Sequence, residues 1–181
     1  MNTFEIVDYV GADGLAVPPG AEGAVVARTR RYRARPFDAD VHLSLTLKLS
    51  PLFAAMVSVA PNVLAARQRH AEPDQAPDAV AMLAELGAAV GPVADRMAAL
   101  DRQGDAKVVI EECLKAADQF VEDKWFAVMA KSGTISNRDN AGYAAKLKIT
   151  INVVRINFGP MLKGMGIDVD ALMGGPPDAG V

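Results

Sequence analysis

The sequence predicts a mainly α fold, with a helical domain, a short N-terminal antiparallel β-hairpin and a flexible C-terminal tail. Aromatic residues are only 6% of the 181 residues and alanine is frequent, which favours helices packed on small side chains. From Asp105 onward, apolar residues recur at helical spacing. The expected boundaries are a hairpin region at 1–36, a helical domain at 37–163 and a tail at 164–181.

Two N-terminal segments have the composition of strands. TFEIVDYV and GAVVARTRRYRARPF are separated by a glycine- and proline-rich stretch, so we expect an antiparallel pair joined by a long turn. The second segment holds the densest charge cluster of the chain: Arg28, Arg30, Arg31, Arg33 and Arg35. Such a cluster can contact phosphates, but the net charge of −3 and the lack of a recognised nucleic-acid module favour a solvated or protein-facing strand edge. We therefore expect no nucleic-acid partner.

Residues 41–49, VHLSLTLKL, fit two structures. Apolar residues alternate with polar ones, as in a half-buried strand, but Val41, Leu45 and Leu49 also form a helical stripe. Leucine favours helices, and Asp38 is well placed as an N-cap, so the helix is favoured while the strand stays open. A helix here predicts a kink or break at Pro51, where Ser50 could cap a second helix.

The stretch between Lys48 and Arg67 carries no charge, and its length is borderline for a membrane-spanning helix. Pro51 and Pro61 bracket one short helix within it, and several polar side chains would be unfavourable in hydrocarbon. We therefore expect a buried core helix and no membrane partner.

The rest of the chain predicts further helices separated by polar segments. Residues 67–78 are expected to form an exposed loop, followed by short helices near 78–89 and 92–100. A helix capped by Asp105 is expected to run to Trp125, because apolar residues form a broad face along it. After KSGTISNRDNAG, a last helix is expected from about Asn140 until FGP closes it.

The motifs give no sign of catalysis. His42 and His70 have no metal-ligand spacing, and no nucleotide-binding or nucleophile motif occurs. The single cysteine, Cys113, lies on the apolar side of a predicted helix, which is typical of an inert buried thiol. We therefore expect no enzyme activity, cofactor or metal. The N-terminus lacks the pattern of a signal peptide, and the lone cysteine fits a reducing compartment.

Three segments carry a family resemblance: RYRARPFDADVHLSLTLKLSPLFAAM, CLKAADQFVEDKWFAVMAKSGTI and LKITINVVRINFGPML. In this order they resemble a family of tail assembly chaperones of tailed bacteriophages. The resemblance implies a protein that works in the host cell cytoplasm, binds the tape measure protein and keeps it soluble while the tail tube polymerises. It also implies the major tail tube protein, and a frameshifted longer form of the same chain, as partners. Gly-Gly-Pro-Pro at 174–177 can be encoded by G and C runs that permit slippage.

The only tryptophan, Trp125, is followed directly by Phe126, just before a glycine turn. One interpretation is that this pair closes the core between two antiparallel helices, because aromatic pairs bury a large apolar area. The other is that one of them, with Phe158 and Leu162, lines an apolar groove for a helical partner segment. The four residues Trp125, Phe126, Phe158 and Leu162 are thus the candidate partner-binding site. Besides the chaperone, a small helical structural or interaction protein without chaperone role, or a nucleic-acid-binding regulator, stays open.

Overall fold

The computed structural model of the protein describes residues 2–11, 16–17, 22–69 and 79–166. Within these residues the strands are β1 (Asn2–Val10), β2 (Ala16–Val17), β3 (Val25–Ala34), β4 (Ala117–Val121) and β5 (Lys124–Ala127). The α-helices of the described part are α1 (Ala39–Arg69), α2 (Ala79–Arg102), α3 (Asp105–Lys115) and α4 (Tyr143–Gly164). A 3₁₀ turn at Arg138–Asn140 precedes α4.

The described chain forms two compact units, and the division falls inside α3 and α4. The sheet unit consists of the described residues of Met1–Asp38 and Val109–Asn157. The helical unit consists of the described residues of Ala39–Val108 and Phe158–Val181. The strands therefore all belong to one unit, and α1 and α2 belong to the other.

The five strands form one antiparallel sheet in the order β2-β1-β3-β4-β5. The predicted pairing of the two N-terminal segments is confirmed, since β1 pairs with β3 along its length, with a register shift between Asp8 and Tyr9. The predicted fold class is wrong, however, because the protein is not a mainly α chain with an isolated hairpin. A second hairpin, β4–β5, joins β3 on its other side.

That second hairpin replaces the later half of a predicted helix. α3 ends at Lys115, and the chain turns between β4 and β5 at Glu122 and Asp123, whose φ angles are 48° and 61°. Both are left-handed conformations, as in a tight two-residue hairpin turn. Trp125 therefore lies on a strand opposite Phe120 rather than at a helix end. The pairing of β4 with β3 outweighs the helical spacing of the segment, because strand preference depends on the neighbouring strands.

Alternation along β3 divides its side chains between two faces of the sheet. Arg30, Tyr32 and Ala34 are buried on the face that also carries Phe4 and Ile6, which we call the inner face. The rings of Phe4 and Tyr32 stack there with centroids 5.4 Å apart. Arg31 and Arg33 lie on the opposite, outer face. The inner face thus carries the apolar core of the sheet unit.

The helical unit is built around α1, which confirms the helix that was favoured for residues 41–49. Leu45, Leu49 and Phe53 are buried along one side of α1, and α1 packs along α2. The Phe158 ring on α4 lies 4.7 Å from that of His42 and 5.5 Å from that of Phe53, between centroids. An ion pair joins Lys48 of α1 to Asp105 at the start of α3.

Prolines lie inside three helices and end none of them. Pro51 and Pro61 lie within α1, Pro92 within α2 and Pro160 within α4. The predicted break at Pro51, the two separate helices near 78–89 and 92–100, and the helix end at FGP are therefore wrong. At Pro51 the missing N–H is compensated, because the Ser50 hydroxyl donates to the Leu47 carbonyl at 2.9 Å. That carbonyl would otherwise accept from the backbone at residue 51.

Two other predictions fall partly outside the described residues. Residues 67–69 of the predicted loop belong to α1, and 70–78 lie outside the described part. The predicted flexible tail lies outside it from residue 167 onward.

One helix of the described chain is long and apolar enough to cross a membrane by length and composition, over Ala39–Val59. Only 22% of that window is buried. The predicted core role therefore describes one side of α1, and its opposite side is exposed.

Candidate functional site

The arginine cluster, with four members in β3 and Arg35 just after it, is used entirely inside the sheet unit. Each of the five makes an ion pair with a carboxylate: Arg28 with Asp139 at 2.5 Å, Arg30 with Asp8 at 2.8 Å, Arg31 with Glu5 at 3.6 Å, and Arg33 and Arg35 with Asp118 at 2.8 and 3.5 Å. Arg35 also donates to the Lys115 carbonyl. The densest charge cluster of the sequence therefore holds neighbouring elements in register.

A buried polar network lies on the inner face around Asn140. Its amide oxygen accepts from the Tyr32 hydroxyl at 2.8 Å and from Arg30 at 3.3 Å, while its amide nitrogen donates to Gln119 at 2.9 Å. Asn140 and Tyr32 have no exposed surface, and Gln119 is 3% exposed. Burial raises the pKa of the Tyr32 hydroxyl above its ordinary value of 10.0, so the hydroxyl stays protonated and a donor even at moderately alkaline pH. The network fixes where the 3₁₀ turn and the sheet meet.

Trp125 is half-buried on the outer face, in a layer of alternating rings and guanidinium groups. Its ring centroid lies 5.1 Å from that of Phe120 and 4.7 Å from the Arg33 guanidinium carbon. The Arg31 guanidinium carbon lies 5.7 Å from the Phe120 centroid. Contacts of guanidinium groups with aromatic rings are favourable, so these arginines hold the two rings in place.

Phe126 faces the other side of the same strand and is 49% exposed. It ends a row of paired residues that crosses four strands: Phe4, Tyr32, Gln119 and Phe126. Because β5 is the edge strand, the row ends there with an exposed ring. We call Phe120, Trp125 and Phe126 the hairpin surface.

The four sequence-predicted partner residues are divided between the units. Trp125 and Phe126 belong to the sheet unit, on opposite faces of β5, whereas Phe158 and Leu162 belong to the helical unit. Phe158 has no exposed surface and Leu162 is 2% exposed, so both lie in the core of the helical unit. The interpretation in which Trp125 and Phe126 close a turn between two helices is wrong, because both lie on a strand. Partner binding by these residues stays a prediction.

A second apolar surface was missed by the sequence analysis. Leu43 and Leu47 on α1 are 60% and 67% exposed, and Val57 is 38% exposed. Together with three smaller exposed side chains they form the outer stripe, which consists of Leu43, Leu47, Ser50, Ala54, Val57 and Pro61. The signal is present in the sequence, because apolar residues recur on both sides of α1.

The described residues offer little for catalysis. Cys113 is fully buried, and burial raises the pKa of its thiol from 9.0 to about 12, so it stays protonated and unreactive at neutral pH. No group of three or more metal-binding side chains occurs within the described ranges.

A comparison with protein families identifies the chain. Residues 28–166 match the family described as phage tail assembly chaperone protein, TAC. This range begins inside β3 and includes α1 to α4 and the β4–β5 hairpin. The chain belongs to this family of phage tail assembly chaperones, which confirms the resemblance seen in the sequence. The family is one of chaperones rather than of enzymes. No curated protein and no solved structure matches the chain.

Proposed function

We propose that this chaperone binds the tape measure protein of its phage and keeps that protein soluble until the tail tube polymerises around it. The observation that carries the proposal is the exposed Phe126 ring at the edge of the sheet, beside Trp125. A long client rich in apolar segments aggregates unless those segments are covered. An exposed aromatic on a rigid support is a suitable contact for them.

The support of the hairpin surface favours a binding role. Phe126 is joined through the sheet to the buried network of Tyr32, Gln119 and Asn140, so its ring is presented on an ordered element. Trp125 lies on the opposite face of β5, held by Arg33. A client segment lying along this edge can contact one aromatic on each face and can pair with the edge strand.

The other partners follow from the same role. The chaperone acts in the host cell cytoplasm, where it meets the tape measure protein and the major tail tube protein. A frameshifted longer form of the chain would add a second part to the same folded units, tethered at high effective concentration to one client.

Co-expression tests the proposal. The full chain is expressed with the tape measure protein encoded by the same phage, and soluble client and co-purified complex are measured. We expect the chaperone to keep the client soluble and to co-purify with it. A client that stays insoluble and does not co-purify, although both proteins are well expressed, would remove the tape measure role. Retention of the chain in finished virions would instead support a structural protein.

A pair of variants tests the surface. Phe126→Ser is expected to lower the recovery of soluble client several-fold, because it removes the exposed ring. The matched control is Tyr143→Ser, which removes another exposed aromatic of the sheet unit, on α4 and 73% exposed. Equal recovery with both variants would show that the client binds elsewhere on the chaperone, without affecting the tape measure role itself.

A further inference from the structure

The outer stripe of α1 has the spacing of a coiled-coil seam. Its six positions follow one another at intervals of 4, 3, 4, 3 and 4 residues, which is the heptad spacing of a helix that packs along another helix. All six are exposed in the described structure, and the two leucines are the most exposed of them among large apolar residues. The buried side of α1, with Leu45 and Leu49, already contributes the core of the helical unit. The helix therefore has a second apolar side of regular geometry.

The composition of the stripe favours close approach of a helix. No charged residue occurs between Lys48 and Arg67, and Lys48 is paired with Asp105 inside the unit. Ser50 and Ala54 at the middle of the stripe are small, so another backbone can come near, while Leu43 and Leu47 supply apolar area at one end.

The order of the positions indicates which helix fits. The stripe is symmetric about residue 52, so an antiparallel copy would place Leu47 against Val57 of the second copy and Ser50 against Ala54 of the second copy. A two-fold axis then matches Leu47 with Val57 and the small Ser50 with the small Ala54, and it places Leu43 against Pro61. The charges agree with this direction. By residue type α1 is acidic at its start, at Asp40, and basic at its end, at Arg69, so an antiparallel pair brings opposite charges to each end.

We propose that two copies of this chaperone pair antiparallel through the outer stripe of α1. The pair forms an isologous interface in which each copy contributes the same six positions. The dimer then carries two hairpin surfaces, so it can hold two segments of one long client at once. This last consequence rests on the proposed function, whereas the pairing itself does not.

The mass of the full chain in solution, measured by light scattering and sedimentation, tests the pairing. We expect a dimer at micromolar concentration. Leu43→Asp with Leu47→Asp is expected to weaken it about 100-fold or more, because two charges enter an apolar seam. Ser44→Asp, which places the same charge at an exposed position of α1 outside the stripe, is the matched control and is expected to stay dimeric. Circular dichroism and the melting temperature verify that each variant folds, and Leu47→Gln serves as a milder second variant.

Cross-linking tests the direction. In an antiparallel pair the two copies of residue 43 lie 18 residues apart along the helix, about 27 Å, so Leu43→Cys is expected not to form a disulfide with itself. A mixture of Ser50→Cys and Ala54→Cys chains is expected to cross-link as a heterodimer. The wild-type chain, whose only cysteine is the buried Cys113, is the background control.

The remaining outcomes each overturn the proposal in a different way. Efficient disulfide formation by Leu43→Cys would indicate a parallel pair. A monomer up to about 100 μM would exclude pairing, and loss of client recovery with the Leu43, Leu47 variant but not with Phe126→Ser would then assign the stripe to the client. A monomer that floats with vesicles of neutral and anionic lipid would assign it to a membrane. None of these results would by itself remove the tape measure role, which the wild-type co-expression decides.

Discussion

The two units use charge in opposite ways. In the sheet unit, four arginines of β3 and Arg35 just after it are each paired with a carboxylate, and a buried polar network joins β3 to the segment before α4. In the helical unit, α1 carries a long uncharged stretch whose outer side is exposed. The arginine cluster therefore stabilises the fold, whereas the uncharged stretch of α1 provides an exposed apolar surface.

The largest effect that tests this comparison is expected in the core of the helical unit. Phe158→Ala removes a fully buried ring that packs against Phe53 and His42, and we expect a loss of about 3–5 kcal/mol in the free energy of unfolding. Urea unfolding measures this. Tyr143→Ala, at an exposed position of the same helix α4 and outside the outer stripe, is the matched control and should cost less than about 1 kcal/mol. Similar losses at both positions would mean that Phe158 is not packed in a core in solution.

The sheet unit should depend instead on its polar network. Asn140→Ala leaves the Tyr32 hydroxyl, Gln119 and Arg30 each without one partner, so we expect a loss of about 2–4 kcal/mol. Tyr32→Phe removes a single hydrogen bond and should cost about 1 kcal/mol. Chemical denaturation ranks the two. Equal and small effects would show that the network adds little to stability, and would weaken the contrast between the units.

High pH should weaken folding through Cys113. Burial raises the pKa of its thiol from 9.0 to about 12. The contribution of Cys113 to the free energy of unfolding is therefore complete below pH 9 and is lost as the pH rises toward 12. At pH 10 the loss is on the order of 1 kcal/mol. The pKa of Tyr32 is also raised by burial and acts in the same direction above pH 10. The melting temperature measured between pH 8 and 10 should fall less in Cys113→Ala than in the wild type; an identical fall would contradict the assignment.

The smallest effect is expected for a glycine at the hairpin turn, and a β-branched residue at the same position serves as its contrast. Asp123 has a φ of 61°, so Asp123→Gly should stabilise the protein by about 0.5 kcal/mol, since glycine adopts this conformation without strain. Asp123→Val should destabilise it by about 1–2 kcal/mol, because a β-branched side chain is disfavoured there. Thermal unfolding of both variants checks the pair. A stabilising valine would mean that the turn does not hold this conformation in solution.

The sequence predicted what depends on local pattern and missed what depends on distant pairing. The first two long strands and the helical state of residues 41–49 follow from local periodicity and capping, and both are confirmed. The hairpin at 117–127 was missed because its partner strand ends at Ala34, far back in the chain, and because Glu122 and Asp123 lack the usual asparagine–glycine turn signature. Pro51 predicts a kink or a break, but α1 continues through it, because the Ser50 hydroxyl supplies a substitute donor for the Leu47 carbonyl.

The candidate site was predictable to a similar degree. The only tryptophan and the phenylalanine after it make Trp125 and Phe126 candidates from the sequence, but the predicted helix hid that they lie on opposite faces of an edge strand. Phe158 and Leu162 were chosen by helical spacing, which does not tell an exposed side from a buried one. The sequence shows that α1 has two apolar sides, but it does not show that only one of them is covered by the rest of the chain, so the outer stripe could not be told from a core face.

The paired arginines of β3 also matter while the protein is being made. β3 leaves the ribosome about 80 residues before β4. At about 5–20 residues per second, the edge of β3 that later pairs with β4 therefore has no neighbouring strand for roughly 4–16 s. A strand edge left open in the cell can pair with another nascent chain. During that interval the positive charges of β3 repel the same strand of other nascent chains, so we expect the residues that later fix the register of the sheet also to reduce aggregation of the unfinished protein.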